Sequence, residues 1–162
     1  MNLAHLHFLI NHLPIFGTIL GLLVFVHGLW SKSKSTQMAA YNLFIVSAIG
    51  AAIAYFTGEP AEDLVENIPG ILETTIEAHE EAAEIALFCI GALGLLSVAA
   101  ALNTWMAESS SKFLRVLVFV CALVSFATMA RTGFLGGQIR HTELQSTSAA
   151  PVNQPANNEE KE

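Results

Sequence analysis

Four apolar runs, each about as long as a bilayer is thick, leave the polar residues of this chain few places to go. They extend from about Phe8 to Trp30, Met38 to Thr57, Ala82 to Thr104 and Phe113 to Leu135. Crossing a hydrocarbon core of about 30 Å takes roughly 20 helical residues. In lipid only a helix or a closed barrel satisfies its own backbone, and these runs, rich in Leu and Ala, lack the alternation of a strand. The expected fold is all-α, an integral membrane four-helix bundle over residues 1–141. Residues 142–162 are Ser, Thr, Ala, Pro, Asn and Glu with little apolar content, so they read as a disordered polar tail.

Composition agrees. The 162-residue chain is 53% hydrophobic and only 13% charged, against about a quarter charged in soluble domains. The net charge of -7 belongs to loops and tail, and no basic patch exists to neutralise phosphates, which excludes nucleic acid as a partner. Lys32 and Lys34 follow the first run, and Lys112 and Arg115 stand at the start of the fourth. The segment Gly58 to Glu81 has no Lys or Arg. The positive-inside rule places the first two of these segments in the cytoplasm. Both termini and the acidic loop then face outward, to the periplasm if the membrane is a bacterial inner membrane. The N-terminus has no basic residue before its apolar run, unlike a cleaved signal peptide, so it is expected to stay as part of the first helix.

Five of the six histidines, His5, His7, His12, His79 and His141, fall at the outward end of such a bundle, together with most of the acids. His5 and His12 are seven residues apart and share a face of a continuous helix, from which His7 points away. Pro14 is expected to kink that helix. In the third helix Glu77, Glu80 or Glu81, and Glu84 form one stripe, while His79 shares a face with Ala83 and Ala86, where small side chains permit close approach. Acids in a first turn also suit the helix dipole. Arg131, inside the fourth run, needs an anion, and Glu84 or a haem propionate would serve. Gly133, Gly136 and Gly137 leave room for a neighbouring helix or a flat ligand. Glu59 is a weaker candidate for the cluster. His27 lies about 22 Å from His12 along the axis, beside Trp30, and reads as an interfacial or packing residue.

Three readings of this mouth compete. A b-type haem would take His12 and His79 as axial ligands, with His5 or His141 as alternates and Arg131 on the propionates. A transition-metal site would draw on His5, His12, His79, His141, Glu80 and Glu84, although no HExxH or paired ExxH is present. A cofactor-free structural or partner-binding subunit is the third. If electrons come from a quinol, Glu80 or Glu84 is placed to take its proton; redox proteins are the other partners such a site would serve, in an oligomer or a larger membrane complex. Cys89 and Cys121 sit in apolar runs without CxxC or CxxCH and read as small buried side chains. No GxSxG indicates a hydrolase, and mid-membrane polar residues are too few to line a channel within one chain.

His12-Leu13-Pro14 in the first helix and Gly136-Gly137-Gln138-Ile139-Arg140-His141 after the fourth resemble a bacterial four-helix membrane family known only as a domain of unknown function (number 2231). The resemblance covers about residues 5 to 141. Leu13 stands where an aromatic is common, and the acidic loop is long. Some members of that family are fused to c-type cytochrome domains, which implies a redox setting and favours haem over a bare metal.

Overall fold

The computed structural model describes residues 2–66, 68–107 and 111–141. The expected tail from Thr142 onward lies outside them. Every regular element among them is a helix: α1 (Leu3–Ile10), α2 (Leu13–Trp30), α3 (Lys34–Phe56), α4 (Glu59–Glu62), α5 (Glu73–Met106) and α6 (Lys112–Arg140). Four stretches are long and apolar enough to cross a membrane: Leu3–Trp30, Lys34–Phe56, Glu73–Met106 and Lys112–Arg140. The chain is a multi-pass membrane protein with a four-helix bundle. The helices overrun the expected spans, because the polar first turns of α5 and last turns of α6 continue the same helical backbone beyond the apolar core.

The surface argues for lipid as strongly as helix length does. Leu95, Phe88, Val116 and Phe134 are 76%, 80%, 63% and 62% exposed. Leu95 and Phe88 lie well inside their span and Val116 and Phe134 nearer the two ends of theirs, and in water they would leave a large apolar belt uncovered. The interior is built from small and aromatic side chains. Phe25, Tyr41 and Phe44 pack with Leu22, Leu93, Ala100, Val118 and Ala122. The buried hydroxyls of Thr18 and Ser47 bond back to their own helices, Thr18 to the Pro14 carbonyl and Ser47 to the Leu43 carbonyl, so these two cost little in lipid.

Packing runs in order around the bundle: α2 on α3, α3 on α5, α5 on α6, with a lighter seam between α6 and α2. The α2–α3 seam is close because Gly21 faces a ring. A Cβ there would sit 2.6 Å from Phe44 Cε1. The hairpin between α2 and α3 turns at Lys32, whose φ of 54° is left-handed, and the Ser33 N–H returns to the Gly28 carbonyl, an αL helix ending. Ser33 and Ser111 cap α3 and α6 with their hydroxyls.

The kink expected in the first span takes the form of a two-residue interruption of the helical hydrogen bonds at Asn11 and His12, both of which keep right-handed helical angles (φ -59°, ψ -24° and φ -82°, ψ -22°). Pro14 has no N–H to return to the Ile10 carbonyl, so α1 ends and α2 begins with Pro14 in its first turn. Freed of α2, α1 leans on α3 and on the short α4. The turn that contains Glu59 also forms a helix, α4, which the chain's turn signals do not reveal.

Candidate functional site

At the end of the bundle where α1, the α3–α5 connection and the last turns of α6 meet, the helices enclose a cavity of about 1320 Å³. Four histidines line it: His7, His12, His79 and His141. Its acids are Glu59, Glu62, Glu77, Glu80, Glu81 and Glu84, and its cation is Arg140. Ile15, Ile76, Leu87 and Met129 give it an apolar floor. Irregular backbone at membrane depth is tolerated where it lines a cavity, and the α1–α2 break does so through Asn11 and His12. The Asn11 Oδ1 atom is buried without a hydrogen-bond partner.

Two imidazoles are fixed in orientation. His7 Nδ1 lies 2.8 Å from the Ala54 carbonyl oxygen at the end of α3. His79 Nδ1 lies 3.0 Å from the Thr132 carbonyl oxygen on α6. A carbonyl only accepts, so each Nδ1 carries the proton and donates it. In the neutral ring each Nε2 then holds a bare lone pair. The rings belong to different spans, line the same cavity and lie within electrostatic reach of each other. His79 reaches its carbonyl because Gly136 has no side chain. A Cβ there would stand 3.0 Å from His79 Cε1 and 3.1 Å from its Nδ1.

The acids are not all alike. Glu62 of α4 hydrogen-bonds the Glu80 side chain of α5, and its carboxyl is pushed up to about 7. The bond to Glu80 is the main cause, followed by burial and then by repulsion from Glu80 and Asp63. Two carboxyls in contact hold one proton between them. That bond ties the acidic loop to α5 at the cavity rim.

The sequence-derived candidates fall in different places. His12 is exposed at the cavity edge, near-parallel to Phe16 at 6.5 Å between ring centroids. His79 and His141 line the cavity, as do Glu80 and Glu84. His5 is exposed and off the cavity, and so is Arg131. The expected approach of Arg131 to Glu84 is therefore not seen, and Arg140 is the arginine at the cavity. No group of three or more His, Cys, Asp or Glu side chains among the described residues is gathered closely enough to hold a metal ion. His7, read as pointing away, turns inward. That reading carried helical register across Asn11, where the helix stops; the Asn11–Pro14 break was the signal to begin the count again. Glu62 was missed because it does not stand out by spacing. His27 packs its ring edge-on against Trp30 at 6.0 Å at the opposite end of the bundle.

The chain matches no family model, no curated protein and no solved structure at a level that implies relationship, so its chemistry is read from these residues alone.

Proposed function

We propose that this membrane protein binds a b-type haem through His7 and His79 and transfers electrons at the histidine end of its bundle. One observation carries the reading: two imidazoles from different spans, each with Nδ1 held by a backbone carbonyl, line one large cavity. Axial ligation needs that tautomer, and a carbonyl on the far nitrogen is the usual means of fixing it. The cavity exceeds the roughly 300–1,000 Å³ of common ligand pockets, room for a macrocycle with its apolar face on Leu87 and Met129. Arg140 at the rim is the cation for its propionates. Glu80 and Glu84 would accept protons if the electron donor is a quinol; a redox protein is the other donor or acceptor of the right chemistry. The basic residues at the opposite end support an orientation with this mouth on the periplasmic side of a bacterial inner membrane.

A second reading has its own support. The proton shared by Glu62 and Glu80 suits a cofactor-free surface that handles protons or docks a partner. The two readings part on a reduced-minus-oxidised optical spectrum of the detergent-purified full chain, expressed with ample haem. Haem binding predicts sharp b-type bands at near-stoichiometric amount, lost in His7→Ala and His79→Ala and kept in His5→Ala. A flat spectrum, or bands indifferent to both His7 and His79, sinks the haem proposal and leaves the proton-handling one.

A further inference from the structure

Arg131 has no place at the cavity of its own chain, and its setting is costly. It is exposed on α6. Phe134, one turn nearer the outer end on the same face, is exposed as well. An arginine that enters the bilayer beneath a lipid-facing ring needs an anion. No described residue of its own chain bonds to it.

The face around Arg131 has the form of a helix–helix seam. Val120, Val124, Ala127, Arg131 and Phe134 are all exposed and are spaced by four, three, four and three residues. That repeat keeps one stripe of a helix against a partner helix. The outer face of α5 carries the same repeat in Glu81, Ile85, Phe88, Ala92 and Leu95, all exposed except the half-buried Ala92. Each stripe is apolar but for one charge toward its outer end, and the two charges are opposite.

The two charges also stand at one height. In the antiparallel α5–α6 pair the Thr132 carbonyl lies 3.0 Å from His79 Nδ1, the Cys89 carbonyl 3.8 Å from Cys121 Sγ, and Asn103 Oδ1 3.1 Å from the Ser111 nitrogen. That register puts Arg131 level with residues 79–83 of α5. Of the two acids there, Glu80 turns to Glu62, which leaves Glu81. A two-fold axis along the membrane normal leaves heights unchanged. It sets α5 of each copy against α6 of the other, so both charge pairs form at once. Gly91 adds a point of close approach. A Cβ there would meet nothing within 4 Å, so the α5 surface is notched between Phe88 and Leu95. The same register puts Val120 of α6 opposite the notch, and small residues admit a facing helix.

We propose that the protein is a two-fold dimer in the membrane, α6 of each copy packed on α5 of the other, with Arg131 paired to the partner's Glu81 and Val120 seated at the partner's Gly91. Glu81 lines the histidine cavity, so each copy sets its Arg131 at the acidic rim of the other's cavity. The inference needs no cofactor there.

The test uses full chains in the membranes of the expressing cell. One copy carries Phe88→Cys and the other Val124→Cys, both in a Cys89→Ser/Cys121→Ser background. Mild oxidation of the co-expressed pair should give a disulfide-linked dimer of twice the chain mass. Arg131→Gln and Glu81→Gln, each made in both copies, should reduce that product several-fold, and Glu81→Arg/Arg131→Glu should restore it. Gly91→Leu meets open space within one chain, so it should keep the membrane yield and still lose the product. Absence of a linked dimer from the co-expressed pair overturns the proposal and leaves Arg131 to lipid phosphate. Undiminished linkage in Arg131→Gln or in Gly91→Leu overturns it too. So does an equal loss in Glu143→Gln, which alters an acid that follows α6 in the sequence.

Discussion

Gly136 and Gly137 are neighbours on α6, yet a methyl group added to each meets different surroundings. At Gly136 it would press on the His79 ring at 3.0 Å; at Gly137 nothing lies within 4 Å. Alanine in a helix is favoured over glycine by about 0.5–1 kcal/mol, so Gly137→Ala is expected to leave the thermal midpoint unchanged or raise it. Gly136→Ala has the same backbone advantage but must displace a ring held between two helices, and overpacking of that kind costs about 1–3 kcal/mol. It should lower the midpoint and disturb the imidazole resonance of His79. Equal behaviour of the two variants would show that the ring has freedom the geometry denies it. In the sequence the glycine pair signalled a close approach, and His79 signalled a ligand-competent side chain. That the one makes room for the other depends on how far α5 and α6 are rotated about their axes, which no single helix encodes. The same holds for His7, whose partner is a backbone carbonyl forty-seven residues away.

At the scale of elements, the two segments that differ from expectation are the two that shape the cavity. The interruption at Asn11 and His12 lets α1 lean on α3 and α4, and α4 supplies the facing wall. Pro14→Ala would restore an N–H within reach of the Ile10 carbonyl and favour a continuous first span. It is expected to pull His7 from Ala54 and, where haem is bound, to abolish the same optical bands as His7→Ala; retention of full bands would show that the break is dispensable. The wall has a pH dependence of defined sign. Glu62 is raised from the usual carboxylate range to about 7 by its bond to Glu80, so the folded state holds that proton more tightly than the unfolded chain does. The stabilisation is complete at pH below the ordinary carboxyl value and is lost as pH rises through about 7. Glu59, Glu77, Glu81, Glu84, His7 and Arg140 line the same cavity and Asp63 repels Glu62, so the informative quantity is a difference. Glu62→Gln keeps a hydrogen-bonding side chain without the titration. Between pH 5 and pH 8 the midpoint of the natural chain should fall more than that of the variant, and parallel curves would remove the shared proton from consideration. A cluster of glutamates in a loop announces acidity, but not which two of them meet.

The whole molecule is a polarised object, and its polarity was the part most legible from sequence. Run length alone gave four spans, and the absence of alternation made them helices; both hold because bilayer thickness constrains a helix more tightly than any side-chain contact does. Charge follows the same axis: Lys32, Lys34, Lys112 and Arg115 at one end, the nine described carboxylates and four cavity histidines, with Arg131 and Arg140, at the other. An even number of spans puts residue 2 and residue 141 on the same side of the membrane. In the orientation proposed from the positive-inside rule, that is the side away from the cytoplasm. The resulting prediction concerns the site directly. In intact cells a membrane-impermeant thiol reagent should label a cysteine placed at exposed Asp63, beside the cavity, and should fail to label one at exposed Ser35, at the basic end, until the membrane is opened. Both are tested in a Cys89→Ser/Cys121→Ser background. Four basic residues carry the orientation, and few opposing charges near the spans would resist a change in their sign. Replacing Lys32, Lys34, Lys112 and Arg115 with Gln should therefore yield molecules in both orientations, with both positions partly labelled. Labelling at Ser35 alone in the unaltered chain would invert the molecule, put the histidine cavity in the cytoplasm, and require its electron partners to be sought there.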